Sequence, residues 1–411
     1  MRLYETERHE ELIGAEWSED RARDAIDRIV TDSERSFTPE GLWPIHPLDR
    51  SPERPPDSIK YMYHGAAGVI WALTYLAETG AAAVNGDYLA TVRQLIPRIR
   101  ADLAKYPEVR KYTGPELASY LLGGAGILLL EWKLAHSEEV ARRLYADIEA
   151  RIGDARGIAW GGAGAMLSAL FMYERTDDAR WKELFLRGFE ALWQQWRYAA
   201  EAGCHLWTSS LYGVTEMRIG AIHGFAANAY VMLRGRHLLE PSLADEMLRR
   251  MHETVRATAL IEGPYANWPN NAGPTDRPTP LTMVVQHCNG APGIINCLAE
   301  FPHDARWPID DLLLQAGELV WAAGPPIKMP SLCHGAAGSG YAFLKLYART
   351  GDDRWLERAR KFAMHAVGQS DRALEEYGQR KYSLWTGDLG LAIYLWDCVR
   401  GTPKFPTIDI F

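Results

Sequence analysis

The sequence predicts an all-α protein, an (α/α)7 toroid built from seven helical hairpins. Three observations predict this fold class. A Gly-x-x-Gly element followed by an apolar run recurs along the chain, the segments between its copies carry a helical period, and alternating strand patterns are scarce. The first glycines of the copies are Gly65, Gly123, Gly161, Gly224, Gly290, Gly335 and Gly387.

Each repeat predicts one inner and one outer helix. The run after each Gly-x-x-Gly is apolar nearly all round, as in "HGAAGVIWAL" from residue 64, which is typical of a helix buried on every side. The segments between are amphipathic, as in "SLADEMLRRMHETVRATA" from residue 242, which is typical of an outer layer. Successive copies start 38 to 66 residues apart, enough for two helices and their loops. An open solenoid of the same hairpins is the structural alternative to a closed ring.

Two linkers show that the repeat is genuine. The segments "YERTDDARW" (173–181) and "YARTGDDRW" (347–355) share Tyr, Arg, Thr, Asp, Arg and Trp in register. Each begins 12 residues after the first glycine of its own repeat. Common glycines alone do not produce this agreement, so we treat 1–411 as a single toroid domain.

Two segments fall outside the hairpin pattern. Residues 1–60 predict an extra helix over 16–36 and a Pro-rich crossing that lies over the ring. The loop 261–281 is rich in Pro, Asn and Gly and directly precedes Cys288. A loop of this length in a compact domain is either a lid over a site or a plain surface crossover.

Composition excludes several classes of protein. The 411 residues are 47% hydrophobic and 24% charged, with a formal net charge of −8. This balance argues against a nucleic acid or an anionic membrane as partner, because both need clustered Lys and Arg. The charged N-terminus lacks the apolar stretch of a secretory signal, and no run of 18 apolar residues occurs, so we expect a cytoplasmic protein without a membrane span.

The turns of repeats five and six carry cysteine and histidine residues. Cys288 and Cys333 each stand two residues before the first glycine of their repeat, and His334 follows Cys333. If the turns surround one axis, the two sulfurs and the imidazole converge, and such a soft donor set selects zinc. Three protein ligands leave a fourth position open, as in catalytic zinc sites. The alternative is that both cysteines are buried apolar thiols, which is our interpretation of Cys204, Cys297 and Cys398.

Other turns carry histidines without a cysteine. His223 stands one residue before its repeat's glycine, as His334 does, and is a candidate general acid or base. The alternative is a turn histidine that caps its own helix. His64 is interpreted as a packing or capping residue. His287 is either a residue that contacts the metal ligand Cys288 or an exposed side chain.

The motifs "CNGAPG", "LCHGAAGSGYAFLKLY" and "GAIHGFA", with the seven Gly-x-x-Gly turns, resemble the lanthionine synthetase C family. The resemblance covers about residues 60 to 398 and is closer to the stand-alone LanC-like branch than to the peptide cyclases. It implies an (α/α)7 toroid and zinc bound by Cys288, Cys333 and His334. It also implies addition of a cysteine thiol to dehydroalanine or dehydrobutyrine, with His223 as the family's His-Gly histidine.

The LanC-like branch further implies glutathione as the thiol and dehydroamino acids in peptides or proteins as acceptors. Its glutathione contacts fall on Lys328 and Arg380. Three positions depart from the family pattern, since Val284 and Gly157 replace charged residues of the cyclases and Asn289 replaces a usual His or Tyr. We therefore expect Asn289, or free N–H groups of the inner helices, to stabilise the enolate.

Three functions from different classes follow. The first is a zinc-dependent enzyme that forms a carbon–sulfur bond, with His223 as an imidazolium that protonates the α-carbon. The second is a zinc- and glutathione-binding regulatory protein without turnover. The third is a carbohydrate enzyme on a helical toroid, which needs paired carboxylates that the decorated turns lack.

Overall fold

The computed structural model describes residues 3–12, 14, 16–50, 59–105, 119–211, 213–273 and 283–411. Within these residues seven helices form an inner layer, and each begins directly after the first glycine of a repeat. The apolar character of these segments is explained by their burial, which is complete over the first two turns of each helix. The inner helices are α2 (Ala66–Glu78), α4 (Gly124–Ala135), α7 (Gly162–Thr176), α9 (Phe225–Arg234), α11 (Ala291–Leu298), α13 (Ala336–Thr350) and α15 (Asp388–Arg400).

The inner helices close into a ring. Each packs against the next one along the chain, and α15 packs against α2. The fold is therefore the predicted toroid, and the open solenoid is excluded. No helix in the described ranges combines the length and the apolar character needed to cross a lipid bilayer.

The second glycine of the repeat is explained by a close backbone approach. At six of the seven copies a Cβ on this glycine would overlap the carbonyl oxygen six residues earlier, as at Gly338 with Leu332 and at Gly293 with His287. The turn before each inner helix thus folds back onto the helix's first turn. This contact fixes where the side chains of the turn project.

The amphipathic segments form the outer layer, with their apolar faces against the inner ring. The helix predicted as an addition over the ring is instead part of it, because α1 (Glu19–Arg35) packs against α15 and takes the outer position beside the last inner helix. A short helix, α6 (Gly157–Trp160), precedes α7. The outer helices are α1 (Glu19–Arg35), α3 (Leu89–Lys105), α5 (Glu138–Glu149), α8 (Ala179–Gln195), α10 (Pro241–Thr258), α12 (Asp310–Ala323) and α14 (Asp353–Tyr377).

Short strands form three antiparallel two-stranded hairpins in the described part of the chain. The loop 261–281 begins in the third hairpin, and its residues 274–281 lie outside the described residues, as do residues 51–58 of the Pro-rich crossing. The hairpins pair β1 (Arg197–Ala199) with β2 (Cys204–Leu206), β3 (Ser209–Leu211) with β4 (Val214–Glu216), and β5 (Leu260–Glu262) with β6 (Tyr265–Asn267).

The middle of the ring is filled by residues 405–411, which we call the central segment. Its Phe411 packs against aromatic rings of α2 and α7, and Phe405 stacks at 4.3 Å on His287. Asp409 lies 2.7 Å from Lys345 of α13 and accepts a hydrogen bond of 2.7 Å from Tyr230 of α9. The central segment therefore links helices from opposite parts of the ring.

Candidate metal centre

The turns that precede the inner helices are joined side by side through their backbones. The N–H of Cys288 donates to the carbonyl of Cys333 at 3.2 Å, Cys333 donates to Trp385 at 2.9 Å, and Trp385 donates to Tyr63 at 3.0 Å. On the other side, Ala221 donates to the carbonyl of Cys288 at 3.1 Å. This ladder brings equivalent positions of neighbouring repeats together.

The ladder brings Cys288, Cys333 and His334 into one cluster. Their ligand atoms all lie within 4.8 Å of one another, and the Cys333 Sγ is 3.6 Å from the His334 Nε2. Both cysteines are buried and His334 is half-buried. Ligands held at about 2.3 Å around a tetrahedral ion are separated by about 3.7 Å, so the cluster needs little movement to hold one metal ion.

The pKa values of the two thiols are shifted in opposite directions. The pKa of Cys288 is lowered well below its usual range, mainly because Cys333 hydrogen-bonds to it and also because of His334 and Gln286. Burial and the neighbouring Cys288 raise the pKa of Cys333. The two thiols therefore titrate as a pair, in which ionisation of one opposes ionisation of the other.

His223 lies close enough to His334 for its pKa to respond to that ring. Burial, the charge of Arg218 and His334 together lower the pKa of His223 to about 3. Its Nδ1 has no hydrogen-bond partner among the described residues. Burial therefore favours the neutral form of the ring, and the role of His223 as the proton donor stays a prediction.

Arg218 was not found by the sequence reasoning. It is 8% exposed, pairs with Glu216 at 2.9 Å, and donates to the carbonyls of Ser209 and Val214 at 2.8 and 3.0 Å. These contacts fix the β3–β4 hairpin beside His223. The repeat register gave no signal for Arg218, because it precedes the turn and its partners come from a hairpin.

Two further side chains contact the sulfurs. Gln286 Nε2 donates to the Cys288 Sγ at 3.0 Å, and a hydrogen bond from Tyr63 lowers the pKa of Cys333. Tyr63 stands two residues before Gly65, the position that Cys288 and Cys333 occupy in their repeats. The repeat register was therefore a signal for Tyr63, whereas nothing in the sequence distinguished Gln286.

The residues expected to contact glutathione differ in environment. Lys328 is exposed, and its charge acts to lower the pKa of Cys333. Arg380 is 5% exposed, with Nη1 donating to Ser370 at 2.9 Å and lying 3.9 Å from Asp388. Asn289 Nδ2 lies 3.6 Å from the Cys288 Sγ. The glutathione roles of Lys328 and Arg380 stay predictions.

The departures from the cyclase pattern have structural reasons. Gly157 has a φ of +79°, and a Cβ there would overlap the carbonyl oxygen of Ile222. A longer side chain therefore does not fit against the turn that carries His223. Val284 is 6% exposed and packs as an apolar residue, with its carbonyl accepting from Asn267 at 3.2 Å.

His287 is a buried neighbour of the cluster, so the exposed alternative is excluded. It is 1% exposed, and its Nδ1 lies 3.0 Å from the Asn296 Nδ2. Its ring stacks on Phe405 of the central segment. Cys204, Cys297 and Cys398 are buried thiols outside the cluster, as interpreted from the sequence.

A closed α/α toroid with a Cys-Cys-His cluster at the start of its inner helices defines the class of protein. The chain belongs to the lanthionine synthetase C-like protein family, whose profile matches residues 58–410. The structure is similar to that of nisin cyclase, with a TM-score of 0.51, 13% identity and coverage of 93% of this chain and 99% of that one. This likeness supports the fold.

Two relatives match about half of the chain. The glutathione S-transferase LANCL1 of Danio rerio is 29% identical over 201 residues, which are 47% of this chain and 46% of the relative. The LanC-like protein GCL1 of Arabidopsis thaliana is 32% identical over 200 residues, 46% of this chain and 43% of the relative. The chain therefore matches less than half the length of each.

Proposed function

We propose that this protein adds a thiol, from glutathione or a peptide cysteine, to a dehydroalanine or dehydrobutyrine acceptor with zinc as its metal. The product is a thioether. The observation that carries the proposal is the cluster of Cys288, Cys333 and His334, with ligand atoms within 4.8 Å. Family membership and the glutathione S-transferase name of one relative support a thioether-forming or glutathione-related role.

The donor set fits zinc, because thiolate sulfur and imidazole nitrogen are the ligands this ion prefers. A zinc ion held there would make a bound thiol acidic. Cys288, Cys333 and His334 would hold the ion.

His223 is the residue that moves the proton. In the addition, sulfur bonds to the β-carbon, the electron pair of the double bond moves into an enolate, and the proton of the thiol ends on the α-carbon. No group leaves. We assign to His223 the uptake of that proton and its return to the α-carbon, which balances the reaction.

The enolate needs a donor in place of the charged residues of the cyclases. The side-chain amide of Asn289 adjoins the Cys288 sulfur, and the charge of Arg218 acts on His223. A donor aimed at developing negative charge stabilises the transition state. We assign this part to Asn289, with Arg218 supplying a fixed positive potential.

One observation favours a second function, a zinc- and glutathione-binding regulator without turnover. Gly157 and Val284 occupy the positions of the charged residues, and the backbone at Gly157 has no room for a side chain. Such a protein binds zinc and glutathione but adds no thiol. The enzyme and the regulator would both contain zinc, but only the enzyme would form the thioether.

The test is mass spectrometry of a dehydroalanine peptide incubated with glutathione and the zinc-loaded protein. We expect a glutathione adduct with the wild type and only background with Cys333→Ala, which also loses zinc. The matched control is Cys297→Ala, whose thiol is buried in α11, and it should keep both zinc and adduct formation. Wild-type protein that carries zinc but gives only background contradicts the enzyme and favours the regulator.

A further inference from the structure

The sulfur of Cys288 has a different surrounding from that of Cys333. Two side-chain amides approach it, Gln286 Nε2 at 3.0 Å and Asn289 Nδ2 at 3.6 Å. Both cysteines are buried. The amide donors therefore stand beside the Cys288 sulfur, whereas Cys333 receives a hydrogen bond from Tyr63.

The backbone holds Gln286 in this position. Its N–H donates to the carbonyl of Asn289 at 3.2 Å, and the two residues form an isolated antiparallel bridge. The bridge closes a tight turn around Cys288, so both amides lie beside the same sulfur. The conformation of the turn therefore holds the Gln286 side chain against the Cys288 sulfur.

An electrophile that accepts sulfur from a substrate also reacts with sulfur that binds the metal. In a protein that acts on dehydroamino acids, the metal-binding sulfur must therefore react more slowly with the electrophile than the substrate sulfur does. Hydrogen bonds to a charged acceptor are stronger than those between neutral groups, and they withdraw electron density from it. Amide donors on a thiolate therefore make it a poorer nucleophile.

We propose that Gln286, assisted by Asn289, shields the Cys288 sulfur from the electrophile, so that the substrate thiol reacts and the metal ligand does not. Gln286 is a positioning residue that acts through Cys288. The inference rests on the proposed function, because shielding matters only where an electrophile meets the cluster.

The test is alkylation of the zinc-loaded full chain by iodoacetamide, in which the sulfur gains a carbamidomethyl group and iodide leaves. Peptide mass spectrometry gives the modification rates at Cys288 and Cys333, and the zinc content is measured in the same samples. With Gln286→Leu we expect the rate ratio of Cys288 to Cys333 to rise about tenfold or more, as expected for loss of one hydrogen bond to a charged group.

Gln286→Glu preserves the shape and replaces the donor by an acceptor, so its ratio should rise further. Gln194→Leu, an exposed glutamine on α8, is the matched control and should leave the ratio unchanged. An unchanged ratio in both Gln286 variants overturns the inference. This includes the case in which both rates rise equally, which would indicate that the metal has been lost. A wild type that binds no zinc contradicts the proposed function instead, so the two failures are distinguishable.

Discussion

At the scale of single residues, the pKa of His223 depends on its surroundings in the fold. In the sequence it is a histidine before a glycine, and the repeat register places it with His334. Its protonation state comes from burial and from Arg218, a residue whose own position depends on the β3–β4 hairpin. The register therefore predicted the candidate, and tertiary contacts lower its pKa.

We predict that His223→Gln keeps the zinc and loses catalysis. Glutamine preserves hydrogen bonding but cannot carry a proton at neutral pH, so the rate of thiol addition should fall by about 10²- to 10⁴-fold. Zinc content and adduct formation are measured together. His237→Gln, an exposed histidine after α9, is the control, and full activity of His223→Gln would assign the proton transfer to another group.

At the scale of elements, the start of α11 determines where Cys288 lies. Gly290 caps this helix with a φ of +99°, and a Cβ there would overlap the carbonyl oxygen of Val284. The same turn carries Cys288 and the amides on its sulfur. A single glycine thus links the conformation of the turn to the geometry of the metal ligands.

We predict that Gly290→Ala lowers both stability and zinc affinity, because the turn must shift to relieve the overlap with Val284. Gly351→Ala is the matched control, since Gly351 also has a positive φ of +68° but open space around it. The control should cost about 1 kcal/mol of unfolding free energy, the strain of the left-handed conformation alone. Thermal unfolding and zinc titration measure the pair, and equal losses would refute the link.

At the scale of the whole molecule, the central segment joins helices that are distant along the chain. Asp409 lies 2.7 Å from Lys345, with side chains 3% and 2% exposed. Tyr230 and Arg234 of α9 also donate to this segment. Because the partners come from separate repeats, the interaction exists only once the ring has formed around residues 405–411.

We predict that Lys345→Met destabilises the fold by about 3 to 5 kcal/mol, since it leaves a buried carboxylate without its cation. The double variant with Asp409→Asn should be less destabilised than the sum of the single variants. Urea denaturation gives the unfolding free energies. Arg187→Met, which breaks an exposed pair with Glu149, should change stability little, and strict additivity at Lys345 and Asp409 would show that the pair is not coupled.

The sequence by itself determined the repeated hairpins, the place of every inner helix beside its Gly-x-x-Gly element and the convergence of Cys288, Cys333 and His334. It could do so because glycine spacing and helical periodicity are local, and because equivalent positions of a repeat meet around one axis. Only the tertiary structure decided that α1 belongs to the outer layer, that residues 405–411 fill the ring, that burial lowers the pKa of His223 and that Gln286 contacts the Cys288 sulfur. These features depend on contacts between distant parts of the chain and on burial, which no local pattern of residues specifies.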